Sequence, residues 1–422
     1  MHDRVSSSAE CLNPRLLHVP TRPTERELDE FLTRGMSEVI VREDLRRLLA
    51  AGERRLRIKQ GFDPTHPNLH IGHSVGLRKL RTLARWGHEI VLIVGDWTTQ
   101  IGDPTDKDES RPMRSHDEVM ASARTYIDQF HRVVPKENSR IALQTEWFGK
   151  FGLRDVIELS SRFTVQQMLA REEFRKRQAA GTPIPIKDLL YPLLQAYDSV
   201  AIEADVEAGG TDQLFNLLAG RELQQMVGQR SQNIYVHHLL EGLDGEKMSK
   251  SKPATAIWFT DAPNEMFGKV MSIHDDLMPH YFEWATEMPL EEVRAILDGL
   301  ARGDVHPREA KEKLARQIVT EFHSAAAADE AASAFGKQFR EGERPADIPA
   351  VRVTVDGAKT VNVVELLVRA SLVKSNGEAR RLVEQRGVKI DDAVADLGTE
   401  LPASGSPVVQ YGKRKYARIT WG

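Results

Sequence analysis

The chain has 422 residues, of which 41% are hydrophobic and 28% are charged, and its formal net charge is −4. At roughly 100–200 residues per domain this length predicts two to four domains, and the composition excludes a wholly disordered chain, a fibrous protein and a disulfide scaffold. The sequence contains no stretch of ~18 consecutive apolar residues, so no membrane span is expected. The first residues lack the apolar core of a signal peptide. Cys11 is the only cysteine, so an internal disulfide is excluded and a cytoplasmic location is expected.

The first half of the chain predicts an α/β fold. After a loose arm over 1–24, a helical pattern runs over 25–52, followed by a short strand at 56–59, a helix over 69–86 and an apolar strand at 90–94. A strand that is apolar on both faces is typical of the centre of a parallel sheet. Residues 56–94 therefore predict a strand–helix–strand unit, the start of a doubly wound, Rossmann-like parallel sheet.

The remaining elements predict a catalytic domain followed by two smaller domains. The mostly helical stretch 115–198 is predicted to be an insertion between two halves of the sheet, and strands are expected again at 199–202 and 233–236, with a helix over 213–227 between them. We interpret His237 and His238 as strand residues and expect no metal site. The predicted organisation is a catalytic domain over 25–255, an all-α domain over 256–340, a linker over 341–354 and a small α+β domain over 355–422.

Two segments could bind phosphate groups, although neither a P-loop nor a GxGxxG pattern is present. His70 and His73 project from one face of a helix that begins after a strand, where helix N-termini attract anions, and Gly72 between them leaves the backbone bare for a flat ring such as adenine. Lys247 and Lys250 lie in a loop that could close over a polyphosphate. Taken singly, the first segment equally fits a helix with two surface histidines, and the second fits a solvated basic turn.

A third pattern lies between these two segments. Tyr191, Gln195 and Asp198 recur at positions i, i+4 and i+7, so that a phenol, an amide and a carboxylate share one helix face. Such a face suits a ligand with an amino group at one end and a hydroxyl donor at the other. A helix that packs Tyr191 into the core, with the polar pair at its edge, remains the alternative.

Together and in this order, His70-Ile71-Gly72-His73 and Lys247-Met248-Ser249-Lys250-Ser251 resemble the HIGH and KMSKS signatures of class I aminoacyl-tRNA synthetases. With the Tyr191 helix, nearly the whole chain beyond residue 50 resembles the bacterial tyrosyl-tRNA synthetase family. That family activates L-tyrosine with ATP and Mg²⁺, holds no tightly bound cofactor, and transfers the tyrosyl group to tRNA(Tyr).

The resemblance also implies a role for each site residue. It implies that Asp103, Tyr191 and Gln195 hold the ammonium group of tyrosine and that Asp198 accepts from the phenol. Gln213 would lie near the reacting carboxylate, and Gly72, Asp212 and Lys250 would bind ATP, with Asp212 on the ribose. The groups implied on the phosphate side of the reaction are Thr65, His70, His73, Lys107, Arg111, Lys247 and Lys250. At one position the chain departs from the family, because Lys59 stands where the best-known branch has a tyrosine that contacts the substrate hydroxyl.

The last part of the chain predicts an RNA-binding domain. Residues 351–422 carry 12 Lys and Arg against 8 Asp and Glu, and Ser375 with Glu378 predicts a capping box at the start of a basic helix. Phosphate contacts are expected from Arg380, Arg381, Arg386, Lys413, Arg414 and Lys415. The segment resembles the small RNA-binding domain, named after a ribosomal small-subunit protein, that ends bacterial members of the family and grips the tRNA variable arm.

The family resemblance further implies a homodimer, with 115–198 as the interface and tRNA crossing both subunits. Two other functions stay open at this point. Tryptophanyl-tRNA synthetase shares the catalytic fold, and a non-catalytic RNA-binding protein could retain a synthetase-like body. The Tyr191 helix argues against the first alternative, and the intact HIGH and KMSKS segments argue against the second.

Overall fold

The computed structural model describes residues 20–103, 115–337, 348–355, 359–412 and 415–422. The chain divides into two compact units, the first up to Ala331 and the second from Ala332. The predicted N-terminal arm as far as residue 19, which includes Cys11, lies outside the described residues, as do four predicted site residues: Lys107, Arg111, Lys413 and Arg414.

A six-stranded sheet forms the centre of the first unit. Its strands are β1 (Met36–Ile40), β2 (Arg57–Phe62), β3 (Glu89–Val94), β4 (Ser139–Leu143), β5 (Val206–Gly210) and β6 (Asn233–His237), in the order β1-β6-β5-β2-β3-β4. All neighbouring pairs are parallel except β1 and β6, which are antiparallel. The chain builds outward from β2 to β4 and then returns to β5 on the other side. This order confirms the predicted doubly wound fold and places a ligand-binding crevice at the carboxyl ends of β2 and β5.

Helices cover both faces of this sheet and continue beyond it. Those up to the last strand of the sheet are α1 (Glu25–Thr33), α2 (Arg42–Ala51), α3 (Ile71–Arg85), α4 (Thr98–Ile101), α5 (His116–Phe130), α6 (Thr145–Phe148), α7 (Leu153–Ser160), α8 (Val165–Leu169), α9 (Glu172–Ala180), α10 (Ile186–Ala201) and α11 (Leu214–Met226). Five more follow: α12 (Pro263–Met271), α13 (Met278–Trp284), α14 (Leu290–Arg302), α15 (Pro307–Phe322) and α16 (Ala325–Gly336). Within the described ranges no helix is long and apolar enough to cross a membrane.

Three expectations about elements of the first unit differ from the structure. The prediction of one helical segment over 25–52 is wrong, because Gly35 has a φ of +64° and the chain then forms the edge strand β1. The predicted strand at 199–202 is also wrong, since α10 continues through this stretch and buries Ser199 and Ile202, three residues apart, on one helix face. Strand β4 lies inside the predicted insertion 115–198 yet pairs with β3, and it escaped prediction because only Ala142 is buried.

The second unit is a small α+β structure. It contains helices α17 (Val363–Arg369) and α18 (Asn376–Glu384) and the strands β7 (Ala350–Val353), β8 (Thr360–Asn362), β9 (Val388–Ile390), β10 (Ala393–Val394), β11 (Glu400–Pro402), β12 (Val408–Tyr411) and β13 (Lys415–Trp421). One sheet has the order β10-β9-β12-β13-β7, and β11 pairs with β8. Leu366, Val383 and Ile419 lie in its core.

The predicted capping box at the start of α18 is only half formed. The Ser375 hydroxyl accepts from the Glu378 N–H at 3.2 Å, as expected. The Glu378 carboxylate instead accepts from the N–H of Lys374 at 2.9 Å, one residue before the cap. The helix therefore begins where predicted, and its first turn still receives a carboxylate close to its N-terminus.

Candidate active site

A cavity of about 660 Å³ opens at the carboxyl ends of β2 and β5. His70, at the start of α3, and Lys250, from the loop after β6, both line it although 180 residues separate them in the chain. All the predicted catalytic and substrate residues within the described part of the chain line this cavity: Thr65, His70, Gly72, His73, Asp103, Tyr191, Gln195, Asp198, Asp212, Gln213, Lys247 and Lys250. The fold therefore brings into one cavity groups that five separate chain segments supply.

The two histidines of the HIGH segment (70–73) pack against each other at the N-terminus of α3. Their ring centroids are 3.8 Å apart, and the His70 N–H donates to Nδ1 of His73 at 3.2 Å. Burial, with the nearby Lys250, holds the pKa of His70 well below its usual value, and burial with His70 does the same for the pKa of His73. The lowered pKa values favour the neutral imidazole in both residues. Nδ1 of His73 also lies 3.1 Å from the His70 carbonyl oxygen, so backbone atoms of His70 hold this ring nitrogen in place.

Gly72 makes the close packing of the HIGH segment possible. A Cβ atom at this position would lie 2.9 Å from Nδ1 and 3.1 Å from Cε1 of His70. Real Cβ atoms hardly ever approach a ring this closely, so an alanine would push the imidazole out of its place. Gly72 thus allows the His70 ring to keep its position, and it also leaves its own backbone bare.

The KMSKS loop (247–251) reaches the sheet through its two lysines. Lys250 Nζ donates to the backbone carbonyl of Asp63 at 3.1 Å and lies 4.6 Å from the ring centroid of Tyr126. Lys247 Nζ donates to Asp212 Oδ2 at 2.5 Å. These contacts place two ammonium groups at the HIGH side of the cavity, where they can neutralise a departing anion.

Asp63, which the sequence analysis did not select, holds two residues of the cavity wall. It accepts from the Tyr191 hydroxyl at 2.9 Å and from the Thr98 hydroxyl at 2.7 Å. Burial raises the pKa of Asp63 to about 6. Because the Tyr191 hydroxyl donates its hydrogen bond to Asp63, the lone pairs of its oxygen are left to accept from a cation such as an ammonium group.

Asp198 lies buried on α10 and accepts hydrogen bonds from two side chains. Gln144 Nε2 donates to both carboxylate oxygens, at 2.9 and 3.2 Å, and Trp147 Nε1 donates to Oδ1 at 3.1 Å. Gln144 is itself oriented, because its Oε1 accepts from the Thr98 N–H at 2.9 Å. Burial raises the pKa of Asp198 to about 7, while Lys59 and the two donors oppose this rise.

A chain of polar contacts joins the remaining residues predicted to bind tyrosine. Asp103 accepts from Gln213 Nε2 at 3.0 Å and pairs with Arg171 at 3.2 Å. Asn216 Nδ2 donates to the side-chain oxygens of both Gln195 and Gln213, each at 3.0 Å. The carboxylate and the two amides therefore have fixed orientations around one end of the cavity.

Sequence reasoning missed the side chains that hold the predicted residues in place: Asp63, Thr98, Gln144, Trp147, Arg171 and Asn216. Asp63 had a usable signal, because it stands at the end of β2 in Gly61-Phe62-Asp63-Pro64-Thr65, just before the HIGH segment. Gln144 and Trp147 had none. They follow the edge strand β4 and reach Asp198 only through the order of the strands in the sheet.

The sequence family agrees with this geometry. The family described as "tRNA synthetases class I (W and Y)" matches residues 51–340, which is more than half of the chain. The chain belongs to this family. The class I synthetases of this type use ATP, and the match covers the HIGH and KMSKS segments and α10 together.

Curated relatives of this synthetase match it over most of its length. A tyrosine–tRNA ligase of Dehalococcoides mccartyi is 48% identical over 396 residues, which are 93% of this chain and 98% of the relative. A tyrosine–tRNA ligase of Geobacter sulfurreducens is 44% identical, with coverage of 93% and 98%. Both relatives therefore span the second unit of the synthetase as well as the first.

Solved structures share the fold of this synthetase at lower identity. A tyrosyl-tRNA synthetase of Archaeoglobus fulgidus in complex with L-tyrosine is 20% identical, with a TM-score of 0.59, and the match covers 73% of this chain and 99% of that one. A truncated mitochondrial tyrosyl-tRNA synthetase of Aspergillus nidulans is 22% identical, with a TM-score of 0.60 and coverage of 74% and 94%.

Four of the six predicted RNA-binding residues fall within the described part of the second unit, and these four lie at its surface. Arg380 and Arg381 are exposed on α18, and Arg386, with a φ of +56°, is exposed just after it. Lys415 is also exposed, and its Nζ lies 5.8 Å from the ring centroid of Tyr411. These four cations are thus available to solvent.

Proposed function

We propose that this synthetase activates L-tyrosine with ATP, forming tyrosyl adenylate and pyrophosphate, and then transfers the tyrosyl group to the terminal adenosine of tRNA(Tyr). The observation that carries the proposal is the common cavity of the HIGH segment, the KMSKS loop and the buried carboxylate of Asp198. A nucleotide site and a hydroxyl acceptor then lie close enough for one adenylate to contact both.

The substrate tyrosine would bind with its phenol at one polar end of the cavity and its ammonium group at the other. Its phenol donates to Asp198, while its ammonium group donates to Tyr191, Gln195 and Asp103. Phenylalanine in the same position would leave the Asp198 carboxylate without that donor. The carboxylate would keep its bonds from Gln144 and Trp147 and would lack one hydrogen bond to a charged group, which contributes about 1.5–3 kcal/mol, so the site favours tyrosine.

The reaction itself demands positioning and charge stabilisation from the protein. The tyrosine carboxylate attacks the α-phosphorus of ATP, and the bond to the bridging oxygen breaks as pyrophosphate leaves. Asp212 would hold the ribose, and Gln213 would lie near the attacking carboxylate. Thr65, His70, His73, Lys247 and Lys250 would contact the phosphates, where neutral imidazole donors and two ammonium groups stabilise the developing charge. Lys107 and Arg111 are proposed to grip the pyrophosphate.

Mg²⁺ enters this proposal as part of the ATP complex. Among the described residues there is no group of three or more His, Cys, Asp and Glu side chains arranged to hold a metal. Mg²⁺ keeps several waters and commonly binds through substrate phosphates, so the ion does not need an all-protein cage. The proposal includes no tightly bound cofactor.

The tRNA would be held by the second unit and by the helices α12–α16. The exposed Arg380, Arg381, Arg386 and Lys415 support phosphate contacts by the small domain over 355–422, together with Lys413 and Arg414. Cations at a protein surface bind the RNA backbone mainly through its phosphates. We further propose that α12–α16, within the predicted all-α domain over 256–340, face the anticodon side. A cytoplasmic location is also part of the proposal, because charged tRNA is consumed there in translation.

A homodimer is the proposed assembly. Four large apolar side chains within 115–198 are strongly exposed: Leu153 by 76%, Ile157 by 60%, Val165 by 57% and Ile186 by 78%. Burial of such side chains against a second copy of the chain would remove this apolar surface from water. Sedimentation at several protein concentrations tests this, and a Leu153→Asp/Ile157→Asp variant is expected to shift the equilibrium toward monomer.

ATP–pyrophosphate exchange measured separately with tyrosine, tryptophan and phenylalanine tests the proposed function. Tyrosine-dependent exchange is the expected result. Exchange with tryptophan alone would favour the tryptophanyl enzyme, and a lack of exchange with every amino acid would leave only a binding role.

A further inference from the structure

Position 59 does not contact the cavity in this chain. Lys59 belongs to β2, and its side chain is fully buried, whereas the next residue, Gln60, lines the cavity. Because successive side chains of a strand point to opposite faces, Lys59 lies on the side of the sheet away from the one that Gln60 faces. Lys59 therefore faces α10, the helix that carries Asp198, and its own side chain does not line the cavity.

Lys59 instead forms a buried ion pair with Glu207 of β5. Lys59 Nζ lies 2.7 Å from Glu207 Oε1, and the two side chains are 0% and 1% exposed. The two residues are also register partners in the parallel pairing of β2 with β5. These are the strands whose carboxyl ends form the substrate crevice, so the ion pair joins the two strands that support it.

The same ammonium group is bound to α10. Lys59 Nζ donates to the backbone carbonyl of Gln195 at 2.9 Å and to the Ser199 hydroxyl at 2.8 Å. With the bond to Glu207, all three hydrogens of the ammonium are used. Ser199 in turn donates to Glu207 Oε2 at 3.0 Å, which closes a ring of contacts between helix and sheet.

The tethered turn of α10 is the one that carries the tyrosine-selecting side chains. Asp198 lies between Gln195 and Ser199, so both ends of its turn are tied to Lys59. Helix α10 also contains Pro192, which lacks an N–H and so removes one internal hydrogen bond just before this turn. The contacts of Lys59 tie the turn that follows Pro192 to the sheet.

We propose that Lys59 is a positioning residue of the tyrosine site, because its ammonium ties the Gln195–Ser199 turn of α10 to β2 and β5 and thereby places Gln195 and Asp198 in the cavity. This role rests on the proposed function. Removing the tether lets the turn move, and the short hydrogen bonds that distinguish tyrosine from phenylalanine then weaken. The nucleotide side of the cavity, which other segments form, is unaffected.

The electrostatic effect of the pair on Asp198 agrees with a role in positioning. Burial is the main cause that raises the pKa of Asp198, Lys59 lowers this pKa, and Glu207 raises it again. Since the two charges of the pair oppose each other, removing both changes the charge state of Asp198 less than removing one. A variant that lacks both charges therefore isolates the effect of the tether.

The decisive variant is Lys59→Met/Glu207→Gln, which keeps the volume of both side chains and leaves no unpaired buried charge. Single substitutions at either position leave such a charge and are expected to unfold more easily. In ATP–pyrophosphate exchange, the KM for tyrosine of the double variant is expected to rise at least tenfold. The ratio of kcat/KM for tyrosine over phenylalanine is expected to fall at least tenfold, while the KM for ATP stays within twofold of wild type.

Lys79→Met is the matched control. Lys79 is a second buried lysine of the same unit, and it donates to the carbonyl of Phe31 at the end of α1, outside the residues that line the cavity. This variant is expected to lower the melting temperature and leave the tyrosine-to-phenylalanine ratio unchanged. An equal fall of the ratio in both variants would show a general effect of stability and would overturn the proposal.

Two outcomes separate this role from the proposed function. If the wild-type protein shows tyrosine-dependent exchange and the folded double variant keeps its tyrosine KM and its ratio within twofold, the role of Lys59 is wrong and the function stands. If the wild-type protein shows no exchange with tyrosine, both are wrong. Circular dichroism and the melting temperature of each variant establish that it is folded.

Discussion

Lys247 and Asp212 form an ion pair, with Nζ 2.5 Å from Oδ2, that joins the KMSKS loop to the turn after β5. Asp212 is the proposed ribose acceptor, so this contact links the loop that faces the phosphates to the part of the cavity that would hold the nucleoside. Both side chains are partly exposed, at 51% and 25%, so the pair can exchange partners at little cost.

The first prediction concerns this lysine. Lys247→Ala is expected to lower the kcat of tyrosine-dependent exchange ~10²–10³-fold, because an ammonium group that acts on the departing pyrophosphate contributes mostly in the transition state. The KM for ATP is expected to change far less. Lys252→Ala is the control, since Lys252 directly follows the KMSKS loop, pairs with Asp244 and does not line the cavity. Equal decreases in the two variants would contradict the assignment.

The second prediction concerns Asp198. Asp198→Asn is expected to lower the tyrosine-to-phenylalanine ratio of kcat/KM by ~10–200-fold, since a hydrogen bond to a charged group contributes about 1.5–3 kcal/mol. The control is Asp188→Asn, which removes a buried carboxylate from the same helix, one that pairs with Arg177 at 2.9 Å and does not line the cavity. This control is expected to lose stability and to keep the ratio. An unchanged ratio in Asp198→Asn refutes the role.

The third prediction is a pH dependence. Burial raises the pKa of Asp198 to about 7, so its carboxylate is present above this pH and becomes protonated below it. The phenol then loses its acceptor, and kcat/KM for tyrosine is expected to fall as the pH drops through about 7. Phenylalanine makes no such contact, and its kcat/KM is expected to change less. Parallel pH profiles of kcat/KM for tyrosine and phenylalanine would contradict the prediction. The Asp198→Asn variant is expected to remove the difference between the two profiles.

The fourth prediction concerns Gly95. A Cβ atom here would lie 2.1 Å from Asp63 Oδ1 and 2.2 Å from Thr98 Oγ1, so Gly95→Ala breaks their hydrogen bond. We expect a decrease of about 1–3 kcal/mol in the free energy of unfolding from overpacking, measured in urea, and a higher KM for tyrosine because Asp63 also holds Tyr191. Gly268→Ala, in a helix with open space around it, is the control and is expected to cost nothing. If Gly95→Ala and the wild-type protein have equal KM values for tyrosine, this result would argue against a role of Asp63 in the site.

The fifth prediction concerns the second unit. Arg380→Ala/Arg381→Ala/Arg386→Ala in the full chain is expected to leave ATP–pyrophosphate exchange unchanged and to raise the KM for tRNA in charging. The salt dependence of tRNA binding is expected to flatten by about one unit of slope for each arginine that no longer pairs with a phosphate. Equal effects on exchange and charging would contradict this division between the units.

Sequence alone predicted the parts of this protein that local patterns specify. The apolar run of β3 indicated a central parallel strand, and the spacing of Tyr191, Gln195 and Asp198 placed them on one helix face, which α10 provides. The HIGH and KMSKS segments could be recognised because the residues that handle phosphate are contiguous in each.

Tertiary structure decided how these segments support one another. Gln144 reaches Asp198 from 54 residues away, and Lys59 reaches Gln195 from 136 residues away. Neither contact leaves a trace in local periodicity, because each depends on which strands lie side by side. The same holds for β1 and β4, whose short edge segments become strands only because the sheet offers them unpaired backbone groups. Local sequence thus determined which chemical groups the protein carries, and the order of the strands decided which buried partners orient them.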